Sequence, residues 1–213
     1  MIYRAIGIIS DSNTAGISIS FNEFTAIGNK WQYSIIAAEQ FVYDSIWVKR
    51  LSSLKSLSVE EYLLLNKQFG TYIGDLTNNF IDQNSLQHQV QLISFEGHFL
   101  HFDESCTCTR FGDGATLAAK TGLSVIVDLH DMDEAFGGNG GGLFEKAERV
   151  LFNEDNKKNL EEKEAEKLGT FKETLMVAML GVLRWREEAT VSSLATGAKK
   201  SSIGGALWLG NDA

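Results

Sequence analysis

Four carboxylates, Asp128, Asp131, Asp133 and Glu134, lie close together and run into Gly137-Gly138-Asn139-Gly140-Gly141-Gly142. Acids this close repel one another unless water, a cation, a metal or a substrate takes up their charge. Glycines beside them allow positive φ and close approach of the backbone to a bound molecule. The β-branched run Val125-Ile126-Val127 precedes the acids, and a helix-like stretch beginning at Gly112 precedes that run. This order predicts an α/β unit that delivers carboxylates to a flexible mouth.

Three further groups carry chemistry-capable residues. Ser10-Asp11-Ser12-Asn13-Thr14-Ala15-Gly16 offers hydroxyls and backbone amides either to a phosphate or simply to a polar hairpin tip. His98 and His101 would share a face in a helix but point to opposite faces in a strand, and the strand-like pattern around them argues against a shared metal. Cys106 and Cys108 cannot fill a zinc tetrahedron alone and read as two thiols on one face of a short strand. No metal site is predicted.

The composition narrows the setting of these residues. A chain of 213 residues that is 44% hydrophobic can bury a real core. With 19 basic against 28 acidic residues, the formal charge of -9 repels polyanions and argues against a nucleic-acid partner. No apolar run approaches the ~20 residues that span a bilayer, and MIYRAIGIIS has neither the basic start nor the long apolar region of a secretory signal. A cytoplasmic protein without a membrane partner is expected. The sequence contains 0 prolines, against about 5% in natural chains, which brings engineering or redesign into consideration.

Periodicity supplies the elements that must position these groups. Tyr3 to Ile9, then Ile17, Ile19 and Phe21, then Trp31, Tyr33 and Ile35 predict a three-stranded meander. Asp44 caps a short helix through Leu51, and Ser58 with Glu61 forms a capping box before a long stripe from Tyr62 to Phe80. Gly70 and Gly74 within that stripe predict close approach of a neighbouring element. A strand containing Val90, Leu92 and Phe95 runs on to His101, a helix spans Phe171 to about Arg186, and Ala206 to Leu209 forms a last strand.

This order of pieces resembles the anhydro-N-acetylmuramic acid kinases. These are sugar kinases of the actin-like, ribonuclease-H-like ATPase fold that open the 1,6-anhydro bridge of a cell-wall sugar and phosphorylate it with ATP and magnesium. The resemblance rests on Tyr3-Arg4-Ala5-Ile6-Gly7-Ile8, the helix over 61–82, Gly112-Asp113-Gly114 with Thr121-Gly122, and Asp128 through Gly140. It resumes at Leu183-Arg184-Trp185-Arg186 and Thr196-Gly197-Ala198, so that about 1–152 and about 171–210 are covered.

The resemblance implies that Asp133 is the catalytic base, taking a proton from the water that attacks the anomeric carbon. It implies a sugar-binding role for His98, His130, Gly137, Gly138, Asn139 and Gly140, and leaves Ser10, Asp11, Ser12, Asn13 and Gly16 as the remnant of a phosphate loop. The chain also departs from the pattern. His130 stands where the family has arginine, Glu96-Gly97 where it has histidine-glycine, and the glycine loop lacks the family proline. Asp11 replaces the first glycine of the phosphate hairpin and Ala15 its aspartate. A carboxylate ~4 Å from triphosphate charge is repelled by about 1 to 4 kcal/mol.

Between Phe152 and Phe171 the second phosphate hairpin and the adenosine-binding segment are missing, and residues 154–167 are instead charged at ten of fourteen positions. Such a run reads as a solvated helix face or linker bridging a deletion. The expected architecture is one α/β domain of ribonuclease-H-like fold, a mixed sheet begun by the meander, with helices on its faces and a C-terminal helix docked back as a cover. Its parts are an N-terminal unit over 1–152, a charged linker or helix over 153–170, and a C-terminal helix and tail over 171–213.

Two functions stay open. One is a kinase, or a remnant without ATP turnover that still binds a small amino sugar through Asp133 and the loop over 137–142; the other is an engineered or degenerate single-domain scaffold without catalysis. ATP and magnesium belong to the family pattern, but no cofactor is expected to bind here, and a homodimer is one expected assembly.

Overall fold

The N-terminal alternation folds into the meander it predicts. A computed structural model describes residues 1–11, 16–28, 30–102, 107–139, 142–152 and 162–211. Strand β1 (Ile2–Asp11) pairs antiparallel with β2 (Gly16–Ile27), which pairs antiparallel with β3 (Lys30–Val42). Ser10 and Asp11 therefore belong to the strand, opposite Ile17 and Gly16, and not to the hairpin tip. Ser12, Asn13, Thr14 and Ala15 lie outside the described residues.

Beyond β1 the sheet becomes parallel. β4 (Leu92–Glu96) pairs with β1, β7 (Val125–Val127) pairs with β4, and β8 (Ala206–Trp208) closes the edge antiparallel to β7. The resulting six-stranded order, β3-β2-β1-β4-β7-β8, is a mixed sheet of ribonuclease-H-like layout. A separate hairpin of β5 (His98–Phe102) and β6 (Thr107–Phe111) stands beside it. The single strand expected to run through His101 is thus broken at Gly97. A Cβ there would sit 2.6 Å from the Phe111 carbonyl oxygen, so only glycine lets the chain turn against β6.

Strand alternation divides the core into two layers. Ile6 and Ile8 of β1, with Ile93, Phe95, Val125 and Val127, face α1 (Ser45–Ser52), α2 (Val59–Gln83) and α3 (Gly114–Thr121). Tyr3, Ala5, Ile9, Leu92 and Ile126 face α5 (Leu143–Leu151) and α6 (Glu162–Trp185). The capping box of Ser58 and Glu61 opens α2 as its sequence predicts. Gly70 and Gly74 do mark a close approach: substituent carbons there would lie 2.6 Å from the Asp113 carbonyl oxygen and 2.5 Å from the Lys120 side chain.

α6 begins inside the charged run and continues past a kink at Phe171, where φ is -113° and ψ 20°. Its residues 174–183 are buried on every side, so the C-terminal helix is a core element and not only a cover. The Lys167 ammonium donates to the Ile35 and Ile36 carbonyls at 2.7 and 3.0 Å, where β3 carries the extra residue of a bulge opposite Phe21 and Asn22. Burial lowers the pKa of this amine.

Candidate functional site

The parallel strands β1, β4 and β7 end together, and the loops beyond their carboxyl ends converge, where open α/β sheets bind ligands. β1 delivers Ser10, β4 delivers Glu96, and the turn after β7 delivers Asp128 and His130. A short helix, α4 (Asp131–Ala135), then carries Asp133, and α7 (Ser193–Thr196) brings Thr196 against it. A cavity of about 540 Å³ opens here, with Ser10, Glu96, Gly97, Arg110 and His130 in its wall, and Gly142 to Glu145 beside them.

Asp133 is buried, at 1% exposure. The Thr196 hydroxyl donates to its Oδ1 at 2.7 Å, and the Ala198 amide donates to the same hydroxyl at 3.3 Å, which orients it. Oδ2 accepts no hydrogen bond from the described residues. Gly138 lies against this carboxylate so closely that a side-chain carbon would fall 2.8 Å from Oδ1 and nearer still to Oδ2. The loop is fixed by Gly138 N–H to the Asp133 carbonyl at 2.9 Å and Asn139 N–H to the Thr196 carbonyl at 3.1 Å. Gly137 adopts φ +80°. Gly140 and Gly141 lie outside the described residues.

A second polar group occupies the cavity wall. Arg110, from β6, donates through Nε to Glu96 Oε1, and its terminal nitrogen lies 2.9 Å from His130 Nε2. His130 Nε2 is also 3.0 Å from Glu96 Oε1. One nitrogen cannot donate to the glutamate and accept from the arginine at once, so the imidazole tautomer selects which bond forms. Burial works to raise the Glu96 pKa, but His130 and Arg110 outweigh it and hold the carboxyl below the ordinary range. Its Oε2 accepts no hydrogen bond from the described residues. The Arg110 guanidinium also lies 4.3 Å from the centre of the Phe99 ring, its cross-strand partner.

His98 is buried, and its Nδ1 lies 3.1 Å from Ser10 Oγ, which is 2.6 Å from the Tyr43 hydroxyl. His101 is exposed and meets Cys108 Sγ through Nδ1 at 3.4 Å, so the two histidines face different surroundings. Cys106 lies outside the described residues. Asp128 has φ 57°, a strained value for a residue with a side chain. Burial, then Asp131, Glu96 and Asp113, push its pKa up to about 6 against the pull of Arg110. Burial leads in raising Asp131 as well.

A sequence model of the family described as anhydro-N-acetylmuramic acid kinase matches residues 3–161, well over half of the chain. The chain belongs to that family. It is 28% identical over 150 residues to the anhydro-N-acetylmuramic acid kinase of Brucella suis, a match covering 66% of this chain and 40% of that protein. The kinases of Haemophilus influenzae and Pasteurella multocida are 26% identical over 160 residues and 23% over 158, each across 71% of this chain and 40% and 41% of theirs. The chain thus matches about two fifths of the length of these kinases. Asp133, Glu96, Arg110 and His130 all fall inside the matched span, whereas Thr196 lies beyond it.

The structure gathers Ser10, Glu96, Arg110 and His130 around one cavity, with His98 bonded behind Ser10. Asp133 stands one helical turn beyond His130, and its amide donates to the His130 carbonyl at 2.9 Å. Of the residues expected as a phosphate-loop remnant, Gly16 sits in β2 at the hairpin edge, while only the backbone of Asp11 is described. Arg110, Tyr43 and Thr196 were not marked as site residues by sequence reasoning. Arg110 sits in a short hairpin with no motif around it, but Thr196-Gly197-Ala198 was one of the matching pieces.

Proposed function

We propose that this chain holds the sugar side of an anhydro-N-acetylmuramic acid kinase cleft and binds an anhydro amino sugar, with Asp133 as its base. The observation that carries the reading is the Asp133 carboxylate itself: Oδ1 takes the Thr196 hydroxyl and Oδ2 has no donor among the described residues. In hydrolytic opening of an anhydro bridge, a water attacks the anomeric carbon and must lose a proton. Oδ2 is the atom that would receive it, while Thr196 keeps the carboxylate turned toward the loop. Gly137, Gly138 and Asn139 would close over the ring, and Ser10 with His98 would present hydroxyl and imidazole groups to it.

Phosphoryl transfer in the family uses ATP and magnesium, which supply the transferred phosphoryl group and neutralise its charge. We read the described residues as a poor match to that group on charge. Among them no three His, Cys, Asp or Glu side chains come together to hold a metal. The cavity wall has four glutamates and one arginine, Arg110, which is already bonded to Glu96. We therefore propose that the chain by itself transfers no phosphoryl group from ATP. We further propose one domain with its C-terminal helix and tail integral to it.

Calorimetric titration of the folded chain with 1,6-anhydro-N-acetylhexosamines tests the binding reading: a saturable heat is expected, weakened in Asp133→Asn. Absence of heat with every such sugar at millimolar concentration would leave a scaffold without this site. Phosphorylated sugar formed by the isolated chain from ATP would refute the claim about transfer.

A further inference from the structure

We infer that a second pocket, on a different face of α5 from the cavity described above, binds a small phosphate monoester. It stands apart from the proposed sugar site, since no residue lines both. The pocket has a volume of about 410 Å³ and lies where β2 turns toward β3, with Trp31, Lys146, Arg149, Val150, Arg186 and Glu188 in its wall. Three cations thus meet one acid there, in a chain whose formal charge is -9. Helix α5 divides by charge between its two cavities. Glu145 and Glu148 line the first, whereas Lys146, Arg149 and Val150, at the three- and four-residue spacing of one helix face, line the second.

The donors of this pocket are only partly used. Arg149 pairs with Glu145 through one terminal nitrogen. Arg186 gives Nε to Glu188 and a terminal nitrogen to the Tyr3 hydroxyl at 2.8 Å. A guanidinium has five N–H donors, so both arginines keep N–H groups that these bonds do not use. Lys146 ion-pairs with no described residue, and its charge is left over for a ligand. Arg186 is also held in place, its guanidinium 5.2 Å from the centre of the Trp31 ring and 5.5 Å from that of Tyr3. A phosphate monoester carries about -1.5 to -2 charge near pH 7 and presents three strong acceptor oxygens. Donors arriving from α5 and from the end of α6 suit a tetrahedral oxyanion better than a planar carboxylate with two oxygens. The Trp31 and Val150 side chains supply an apolar wall for the carbon part of the ester.

Titration of the full chain with glucose 6-phosphate, followed by amide NMR near neutral pH at low ionic strength, tests the site. Saturable shifts are expected at the Lys146, Arg149 and Val150 amides and at the Trp31 indole N–H, with none from glucose at the same concentration. Lys146→Gln should weaken binding about fivefold, and Lys146→Arg should keep most of it. Lys49→Gln removes the same charge from exposed α1 in the other layer and should leave binding unchanged. Inorganic phosphate should shift the same amides but bind at least about threefold more weakly, because it leaves the apolar wall unused. The site is overturned by an absence of shifts at these amides with millimolar ester, by equal shifts from glucose, or by unchanged affinity in Lys146→Gln. It is equally overturned if Lys49→Gln weakens binding as much as Lys146→Gln. Inorganic phosphate binding as tightly as the ester overturns the ester as its ligand.

Discussion

At the scale of single residues, the site depends on groups that satisfy one atom and leave another open. Thr196→Val would remove the donor to Asp133 Oδ1 and leave both carboxylate oxygens buried without partners. We expect a loss of about 1–3 kcal/mol in urea denaturation, largely restored by Thr196→Ser. Asp128 gives a pH signature of opposite sign to that of most acids. Its folded pKa, about 6, lies above the ordinary value of 3.8, so the folded state holds a proton that the unfolded chain releases. Its contribution is fully present below about pH 4 and is lost as pH rises through 6. Asp128→Asn should therefore raise stability most at pH 7 and above and flatten that slope, and asparagine also tolerates the φ of 57° better. A stability–pH curve from 4 to 8 identical in shape to that of the parent chain would refute the assignment.

The long helix α2 separates two kinds of close approach at the scale of elements. Gly70 faces the Asp113 backbone, which cannot yield without moving the start of α3, whereas Gly74 faces the root of the Lys120 side chain, its Cγ at 2.5 Å and its Cβ at 2.8 Å. Alanine gains up to about 1 kcal/mol over glycine in a helix. Gly70→Ala should nonetheless destabilise by about 1–3 kcal/mol, since overpacking against a backbone is not relieved by a rotamer change. Gly74→Ala should also destabilise, because the Lys120 Cβ is fixed by the α3 backbone and no rotamer moves it, but by less than Gly70→Ala in the same denaturation assay. Such contrasts show where the sequence was legible. The strand alternation of β1 to β3, the capping box at Ser58 and the stripe of α2 are local signals that agree with the fold. Position 97 was not legible as a break, because its need for glycine comes from Phe111, fourteen residues on and across a turn. The Glu96–Arg110–His130 group was hidden for the same reason: its members come from β4, β6 and the turn after β7, and no spacing in the chain joins them.

For the whole molecule, one sheet serves two cores. Ile6 and Ile8 point to one and Ala5 and Ile9 to the other, so neither layer can dissolve while β1 stays intact. Trp47 is buried in the first core and Trp31 in the second. Variants that leave one of these tryptophans as the buried reporter should give coincident urea transitions, and midpoints that separate would show two independent units. Family membership and the mixed sheet agree with the reading made from Tyr3 to Ile8 and Asp128 to Gly140, while the acidic character of the cavity needed the fold to assemble its four glutamates. On the proposed reading of Asp133 as a base, Gly138 finally makes it a timed one. Because it lies on the Asp133 carboxylate, with its N–H tied to the Asp133 backbone carbonyl, water would reach the buried Oδ2 only if Gly138 moved away. On that reading Gly138 would act as a latch, and the frequency of its departure would cap any turnover at Asp133. Hydrogen exchange at the amides of Gly138 and Asn139 should measure that frequency directly, and a saturating sugar should slow both together.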